Sequence, residues 1–522
     1  MKIILRKNYC LKSKKSFYPL LISNFMFKDI RSLTKHSMIY SVGNIATRLV
    51  GIILIPLYTR VIPVDMFGIY ALFEVTIQFG QGLLLFGLPT AIFRWFSTEK
   101  IEQRRLIFST AFHFSVFISF LLCLIFFFGR IELSNLFFHA DSYATHFVLT
   151  ALIIACLLPT QLLSAKLRFD NKSLHFISVK LVKFFTQLIV TIILVAKIKA
   201  GILGILWGHF ISDVIVLIIL IPYTLKNITL NFNHSFLIGM IRFGVPLSIS
   251  GLSSRFLNMG DRYILGLLTD MKTVGIYAIG YKIANLVDTL IIQSFQNAFI
   301  PMAWKKVSTQ NSKRFYAKTL TYLSFLLAWI ALFLSVFRHE IIHLFTKNSD
   351  YWEASNIIGI VVLAVCIKGV ATIVKMGLQF SKQTKYIALS VFTAALLNAG
   401  LNFLFIPKYS FYGAAYATLA SFVFMMGFVL LLSQKYYPVQ YEWKRIFLIS
   451  ISCFFLYITS LGVNHYQPVL KIILKLIMVL FYPLVLYVIR FFDKNEIYRL
   501  KGAWVKWRNP QNWKHNLKKI KL

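Results

Sequence analysis

The sequence is poor in acidic residues and in polar stretches of any length. Its 522 residues include 18 Asp and Glu against 56 Lys and Arg, and only 14% of all residues are charged. Hydrophobic residues make up 58%, whereas soluble domains contain roughly 45–50%. Apolar segments of about 20 residues, each long enough to cross a bilayer as a helix, recur along the chain. The composition excludes a soluble globular domain and predicts an all-α polytopic membrane protein.

Several catalytic and metal-binding patterns are absent from the sequence. The five cysteines include no CxxC pair, so neither a disulfide framework nor a thiolate metal site is expected. No glycine-rich loop ends in GKS or GKT, which argues against a built-in ATPase. His113 and His209 fall within apolar segments without an acidic partner at motif spacing. We therefore expect no enzyme activity, no catalytic residue, no cofactor and no metal site.

Hydropathy divides the chain into about 14 predicted transmembrane helices between two basic tails. Counted in alternate loops and tails, 38 Lys and Arg lie on the side of the N-terminus, 9 on the opposite side and 9 within spans. Basic residues concentrate in cytoplasmic loops, so both termini are predicted to be cytoplasmic. The excess positive charge then faces anionic lipid head groups, not nucleic acid. The predicted spans are 37–57, 68–90, 106–128, 146–165, 174–196, 201–223, 236–258, 274–300, 319–337, 354–378, 386–406, 411–432, 446–462 and 469–489.

An internal repeat relates the two halves of the chain. The tetrapeptide GIYA occurs at 68–71 and again 207 residues later, at 275–278, and the same shift relates Arg48 to Arg255. Because six spans separate equivalent positions, the two copies have the same orientation in the membrane. The predicted organisation is a basic cytoplasmic tail (1–36), two parallel six-helix bundles around a central cavity (37–223 and 236–432), two extra helices (446–489) and a basic tail containing tryptophan (490–522).

Arg48 and Arg255 are costly residues for membrane spans. A charge at the centre of a bilayer costs roughly 2.5–3.5 kcal/mol on insertion scales. Arg48 and Arg255 each lie 13 residues after another basic residue, Lys35 and Arg242 respectively, so both lie at matching depths, at or beyond the midplane. Parallel repeats are a known transporter plan with the substrate site between the halves. The two cations indicate either a shared functional requirement or, alternatively, pairing with carboxylates that only fasten helices.

Other polar residues within spans fall on shared helix faces. Lys183 and Lys368 lie deep in the fifth and tenth predicted spans, and Asp213 in the sixth is expected to form a salt bridge. Intramembrane carboxylates can carry protons or bind coupling cations, or they can neutralise basic residues. Amides can hydrogen-bond either sugar hydroxyls or neighbouring helices. One polar face contains Glu74, Gln78 and Gln81, and the equivalent face in the second half contains Asn285 and Asp288.

The sequence resembles the polysaccharide-biosynthesis membrane transporters, which are O-antigen and capsule lipid-linked oligosaccharide flippases. The residues that carry the likeness are SVGNIATRLVGIILIPLYTRVIPVDMFGIYAL, FGLPTAIFRWF, DRYILGLLTDMKTVGIYAIGYKIA and LLNAGLNFLFIP, and it covers roughly residues 35–435. The wider superfamily includes multidrug and toxin extrusion transporters and lipid II flippases. The resemblance implies two six-helix bundles around a cation-lined cavity that opens alternately to either side.

The resemblance also implies a function. The chain is expected to move an undecaprenyl-diphosphate-type lipid-linked oligosaccharide from the inner to the outer leaflet of the bacterial cytoplasmic membrane, for surface polysaccharide assembly. Expected partners are this lipid, membrane lipids, a glycan polymerase and other assembly proteins, and a monomer is expected. The two extra spans leave a lipid II flippase as an alternative, and a multidrug or cation antiporter is another. Candidate diphosphate ligands are Arg48, Arg255, Lys183 and Lys368, and candidates for glycan or coupling-ion binding are Glu74, Gln78, Gln81, Asn285 and Asp288.

Overall fold

Long helices form the secondary structure of the described chain. The structure is a computed structural model that describes residues 50–51, 53–309, 311–493 and 496–498, and these residues contain helices and no strands. The α-helices are α1 (Ile55–Val61), α2 (Val64–Leu84), α3 (Leu88–Thr98), α4 (Gln103–Phe128), α5 (Arg130–Phe138), α6 (Ala144–Phe169), α7 (Ser173–Ile192), α8 (Gly201–Asn227), α9 (His234–Met259), α10 (Asp261–Leu268), α11 (Met271–Ala284), α12 (Gln293–Lys306), α13 (Ser312–Val336), α14 (Arg338–Phe345), α15 (Ser355–Phe380), α16 (Thr384–Tyr436), α17 (Trp443–Gly462) and α18 (Pro468–Val488).

Twelve helical segments of the described residues are long and apolar enough to cross a membrane. One of them, Val64–Thr98, joins α2 and α3, and another, Met271–Lys306, joins α11 and α12 through a π-helical turn at Val287–Ile292. The prediction of an all-α polytopic membrane protein is confirmed. The first predicted span, 37–57, lies largely outside the described residues, so the total of about 14 stays a prediction.

The longest helical segment, α16, contains a sharp reversal at Ser410. This residue has φ 51° and ψ −134°, which is not helical. A Cβ on Gly413 would overlap the backbone of Phe405, although eight residues of straight helix would separate these positions by about 12 Å. The segment therefore consists of two helices that fold back on each other, at the place where two separate spans were predicted.

The helices form two packed groups that meet along α2 and α3. We call residues 50–227 the first half and residues 234–436 the second half. Within the first half α4, α6, α7 and α8 pack together, and within the second half α13, α15 and α16 do so. Between the halves, α2 contacts α9, α10 and α11, and α3 contacts α9. Helices α17 and α18 pack on α13 of the second half, around Leu332, Tyr482 and Leu486.

A reciprocal glycine contact joins α2 to α11. A Cβ on Gly68 would overlap the carbonyl oxygen of Met271, and a Cβ on Gly275 would overlap the carbonyl oxygen of Val64. Both glycines and both carbonyl residues are related by the 207-residue shift of the sequence repeat. The absence of side chains allows the two helix backbones to touch, as small residues do at membrane helix interfaces. The repeat seen in the sequence is thus expressed as a symmetric contact between the halves.

Candidate functional site between the two halves

The two halves touch near both ends of the bundle. At the end where α2 and α11 begin, which we call the Gly68 end, the hydroxyl of Thr59 donates to the carbonyl of Phe345 at 3.0 Å, and the hydroxyl of Tyr351 donates to the carbonyl of Ile62 at 2.9 Å. At the opposite end, the rings of Trp95 on α3 and Phe243 on α9 lie 5.8 Å apart. A space between the halves therefore lies between these two sets of contacts.

A glycine allows α3 to approach α9 closely at this second contact. Gly87, with φ 71°, separates α2 from α3, a left-handed conformation that favours glycine. A Cβ at Gly87 would overlap the backbone of Gly244, and a Cβ at Gly244 would overlap that of Phe86. The break between α2 and α3 therefore turns the chain at the point where the halves meet backbone to backbone.

A cavity of about 630 Å³ lies between the halves. Its wall comes from α2, α4 and α6 of the first half and from α9, α10 and α16 of the second. Most of the wall is aliphatic or aromatic, with Thr76, Ser253 and Tyr263 as the residues that carry side-chain hydroxyls. The volume lies within the range of roughly 300–1,000 Å³ typical of small-molecule sites. This wall differs from the cation-lined cavity implied by the family resemblance, because most charged side chains nearby are paired elsewhere.

Arg255 is the predicted site residue that lies beside this cavity. A Cβ on Gly82 of α2 would overlap its guanidinium and would lie 3.2 Å from Cδ2 of Leu252, a residue of the cavity wall. Arg255 is half-buried and makes no hydrogen bond or ion pair with any described residue. A guanidinium with free donors suits a phosphate, because its planar fork can donate two hydrogen bonds at once. Its repeat-related residue, Arg48, lies outside the described residues.

Lys183 is neutralised within the first half. Its ammonium forms an ion pair with Asp213 of α8, which is fully buried, so the salt bridge predicted for Asp213 is present. One turn further along α7, the amide of Gln187 contacts His209 Nε2 at 3.0 Å. A phosphate at Lys183 would have to displace a buried carboxylate, and its role in diphosphate binding stays a prediction.

Lys368 is neutralised within the second half. Its Nζ lies 3.2 Å from Oδ1 of Asp288 and donates to Oδ1 of Asn258 at 2.9 Å. Asp288 also accepts a hydrogen bond from the amide of Gln293 at 2.9 Å, within the π-helical turn. The structure brings two predicted site residues together, with opposite charges that cancel. The functional roles predicted for Lys368 and Asp288 are not tested by this pairing.

Glu74 forms an ion pair between the halves that the sequence reasoning missed. Its Oε2 lies 2.9 Å from Nζ of Lys282 on α11. Arg262, whose side chain is 1% exposed, lies close enough to Glu74 for an electrostatic interaction and stacks 5.1 Å from the ring of Tyr281. A signal for Lys282 was present, since it falls within a predicted span and its repeat-related position, Val75, is next to Glu74.

The remaining predicted amides lie near this ion pair along the same helices. Gln78 and Gln81 follow Glu74 on α2, and Asn285 follows Lys282 at the end of α11. All three are half-buried and make no side-chain hydrogen bond with the described residues. Their donors and acceptors are thus free for a polar ligand or water. No group of three or more His, Cys, Asp or Glu side chains that suits a metal ion occurs in the described ranges.

Comparison with known proteins identifies the family. Residues 57–355 match the family described as "Polysaccharide biosynthesis protein". The chain belongs to this family. The match includes most of α1 and all of α2 to α14, and with them Arg255 and most of the contacts between the halves. No curated protein matches the chain by sequence.

Solved structures of membrane transporters share the fold of this family member. The lipid II flippase MurJ in an inward closed conformation matches with a TM-score of 0.70 and 15% identity, covering 86% of this chain and 99% of MurJ. An outward-facing multidrug resistance MATE transporter of the MOP superfamily matches with a TM-score of 0.58 and 13% identity, covering 80% and 96%. The MATE transporter VcmN of Vibrio cholerae gives 0.57 and 14%, covering 77% and 96%. At these identities the likeness shows the fold.

Proposed function

We propose that the chain flips an isoprenoid-diphosphate-linked oligosaccharide from the inner to the outer leaflet of the bacterial cytoplasmic membrane. Both termini are cytoplasmic in this proposal, and the halves move against each other so that the space between them opens alternately to either side. The family supports a role in polysaccharide synthesis, and the transporter fold supports movement across the membrane. The flipped lipid then feeds the assembly of O-antigen, capsule or exopolysaccharide.

The observation that best supports the proposal is that Arg255 lies between the halves without a carboxylate partner among the described residues. A diphosphate that crosses hydrocarbon loses its hydration, and a fixed cation replaces part of that lost interaction. Arg255 lies between the halves, and its guanidinium is not committed to a carboxylate of the described residues. Lys183, Lys368 and Lys282 are each paired with an acid, so Arg255 is the cation most available to an incoming phosphate. Arg48, which the 207-residue repeat relates to Arg255, is proposed as a second phosphate ligand.

Surface glycan display in cells that lack their own oligosaccharide flippase tests this role. We expect Arg255→Ala to reduce glycan display at least tenfold at equal protein level, because the diphosphate loses a charged ligand. Arg255→Lys should retain part of the display if charge alone is required and lose most of it if bidentate binding is required. Arg314→Ala, at an exposed residue, is the matched control. Normal display by Arg255→Ala would contradict the proposal.

Transport of a peptidoglycan precursor is the second candidate. It is favoured by the extent of the likeness to a lipid II flippase, which covers 99% of that protein, and by the presence of α17 and α18 beyond the two halves. The test is rescue of cells depleted of their own lipid II flippase, set beside rescue of an O-antigen flippase mutant. Rescue of the first strain and failure in the second would replace the oligosaccharide proposal.

A further inference from the structure

We propose that the cavity beside Arg255 binds the isoprenoid chain of the transported lipid while Arg255 binds the phosphate to which that chain is attached. This inference rests on the proposed function and adds a second part to the site. A phosphate ligand alone does not explain why the guanidinium lies next to a wall of hydrocarbon. The wall, the position of Arg255 and the small residues of the lining each point to an apolar occupant.

Among the described residues, the wall offers no free hydrogen-bonding side chain to a ligand. The hydroxyl of Thr76 donates to the carbonyl of Leu72 at 2.9 Å and contacts the hydroxyl of Tyr263, so these two residues satisfy each other. The hydroxyl of Ser253 donates to the carbonyl of Ile249 at 2.9 Å. Burying a sugar or phosphate against such a wall would leave its polar groups unpaired, which costs roughly 1–3 kcal/mol for each group. Hydrocarbon is therefore the occupant that fits this wall.

Small residues on both halves create the space. Gly80 faces the cavity from α2, where a Cβ would come within 2.7 Å of Ile154 Cδ1. Ala395 and Ala399 face it from α16, one helical turn apart. Larger side chains at these positions would occupy part of the cavity of about 630 Å³ that lies between the halves. A chain bound there contacts both halves at once and is therefore sensitive to their relative movement.

The distance between the cation and the wall selects the kind of lipid. A Cβ on Gly82 would overlap the guanidinium of Arg255 and would lie 3.2 Å from Cδ2 of Leu252 in the wall, so the cation and the wall are adjacent. A polyprenyl phosphate has hydrocarbon bonded directly to its phosphate ester oxygen, which matches this direct transition from cation to apolar wall. A glycerophospholipid has two ester carbonyls between phosphate and chains, and the described residues of the wall provide no free donors for them. The glycan must then extend toward the free amides of Gln78, Gln81 and Asn285, not into the cavity.

Cavity-filling variants of the purified full-length protein test the chain site. The probes are undecaprenyl phosphate, geranyl phosphate as a short-chain phosphate, and phosphatidylglycerol, with binding measured by native mass spectrometry in detergent. We expect Ala399→Leu to weaken undecaprenyl phosphate binding at least tenfold and geranyl phosphate binding less than threefold. Arg255→Gln should weaken both prenyl phosphates. Gly400→Leu is the matched control, since it is the next residue of the same helix and has no atom within 4 Å of its Cβ position.

Each outcome separates the chain site from the proposed function. Unchanged undecaprenyl phosphate binding in folded Ala399→Leu and Ala395→Leu proteins would overturn the chain site, even if Arg255→Ala abolishes glycan display. Equal losses for phosphatidylglycerol and undecaprenyl phosphate would also overturn it, because the cavity would then bind membrane lipid in general. If the wild-type chain transports no glycan but Ala399→Leu still selectively loses undecaprenyl phosphate, the chain site stands and the proposed function fails. A misfolded Ala399 variant, detected by size-exclusion chromatography, leaves Ala395→Leu to decide the question.

Discussion

Individual charged residues between the halves are stabilised by specific partners in an apolar environment. Lys282 contacts Glu74 at 2.9 Å and also lies 5.3 Å from the ring centre of Phe67 and 5.1 Å from that of Tyr70. The side chains of Lys282 and Glu74 are 12% and 24% exposed, so neither is fully hydrated. Removing one partner leaves the other charge buried without compensation, whereas removing both restores neutrality. The ion pair is thus a contact between the halves whose two members depend on each other.

Lys282→Met is expected to destabilise the purified protein by about 2 kcal/mol, because Glu74 then loses its ion-pair partner and keeps only the nearby charge of Arg262. Glu74→Gln should cost less, since Lys282 keeps its two aromatic contacts. The double variant should be more stable than the sum of the single effects predicts, which unfolding of all four proteins in detergent would measure. Strict additivity would show that the two side chains do not interact in the folded protein.

The identity of polar residues in the site was predictable from the sequence, whereas their pairing was not. Hydropathy and the repeat indicate Arg255, Glu74 and Asp288, because a charged residue within an apolar segment is visible in the sequence alone. The choice of partner depends on how each helix is rotated and on which helix it packs against. For this reason the sequence does not predict Lys282 as the partner of Glu74, and it predicts Lys183 and Lys368 as diphosphate ligands without indicating which carboxylates pair with them.

For single helices, hydropathy predicts where a span lies, whereas tertiary packing determines where the helix breaks. The predicted spans 386–406 and 411–432 correspond to the two arms of α16 on either side of Ser410, because apolar length is a local property. The predicted span 68–90 instead forms α2 and part of α3, with positive φ angles at Phe86 and Gly87 between them. That break serves a contact with α9. A contact between distant segments leaves no mark on hydropathy.

The close crossing of α2 and α11 depends on Gly68 and Gly275, which have no Cβ. We expect Gly275→Ala to separate these helices at the Gly68 end, because its Cβ would overlap the carbonyl of Val64. The expected cost is about 2 kcal/mol, as for overpacking elsewhere, with faster hydrogen exchange in 64–71. Gly427→Ala is the control, since its Cβ would have no neighbour within 4 Å. Equal exchange in both variants would show that the crossing tolerates a methyl group.

At the scale of the whole molecule, a charge network ties the last described residues to the second half. Lys318 of α13 and Arg445 of α17 both contact Glu496, at 2.7 Å and 3.2 Å. Asp493 and Glu442 complete the network. Partial burial alone would raise the pKa of Glu496, but hydrogen bonds from Arg445, Lys318 and Tyr322 lower the pKa to about 2. The network therefore keeps its charges in moderately acidic solution.

Because the pKa of Glu496 is lower in the folded state than its ordinary 4.5, its stabilising effect is complete above about pH 5 and is lost as the pH falls toward 2. Glu496→Gln should therefore lower stability by about 1 kcal/mol at pH 7, and the difference from the wild type should shrink between pH 5 and pH 2. Thermal unfolding across this range measures it, with the exposed Glu102→Gln as control. A difference that stays constant with pH would argue against an ionic role for Glu496.

The glycine contact between α2 and α11 has an evolutionary consequence. Each half presents the same residue of its repeat to the same carbonyl group of the other, which is the geometry of an isologous dimer. A half-length ancestor that paired with a copy of itself would already possess this contact before gene duplication and fusion. In such a fused chain, a substitution that adds a side chain at this contact in one copy would displace the helix backbone of the other copy.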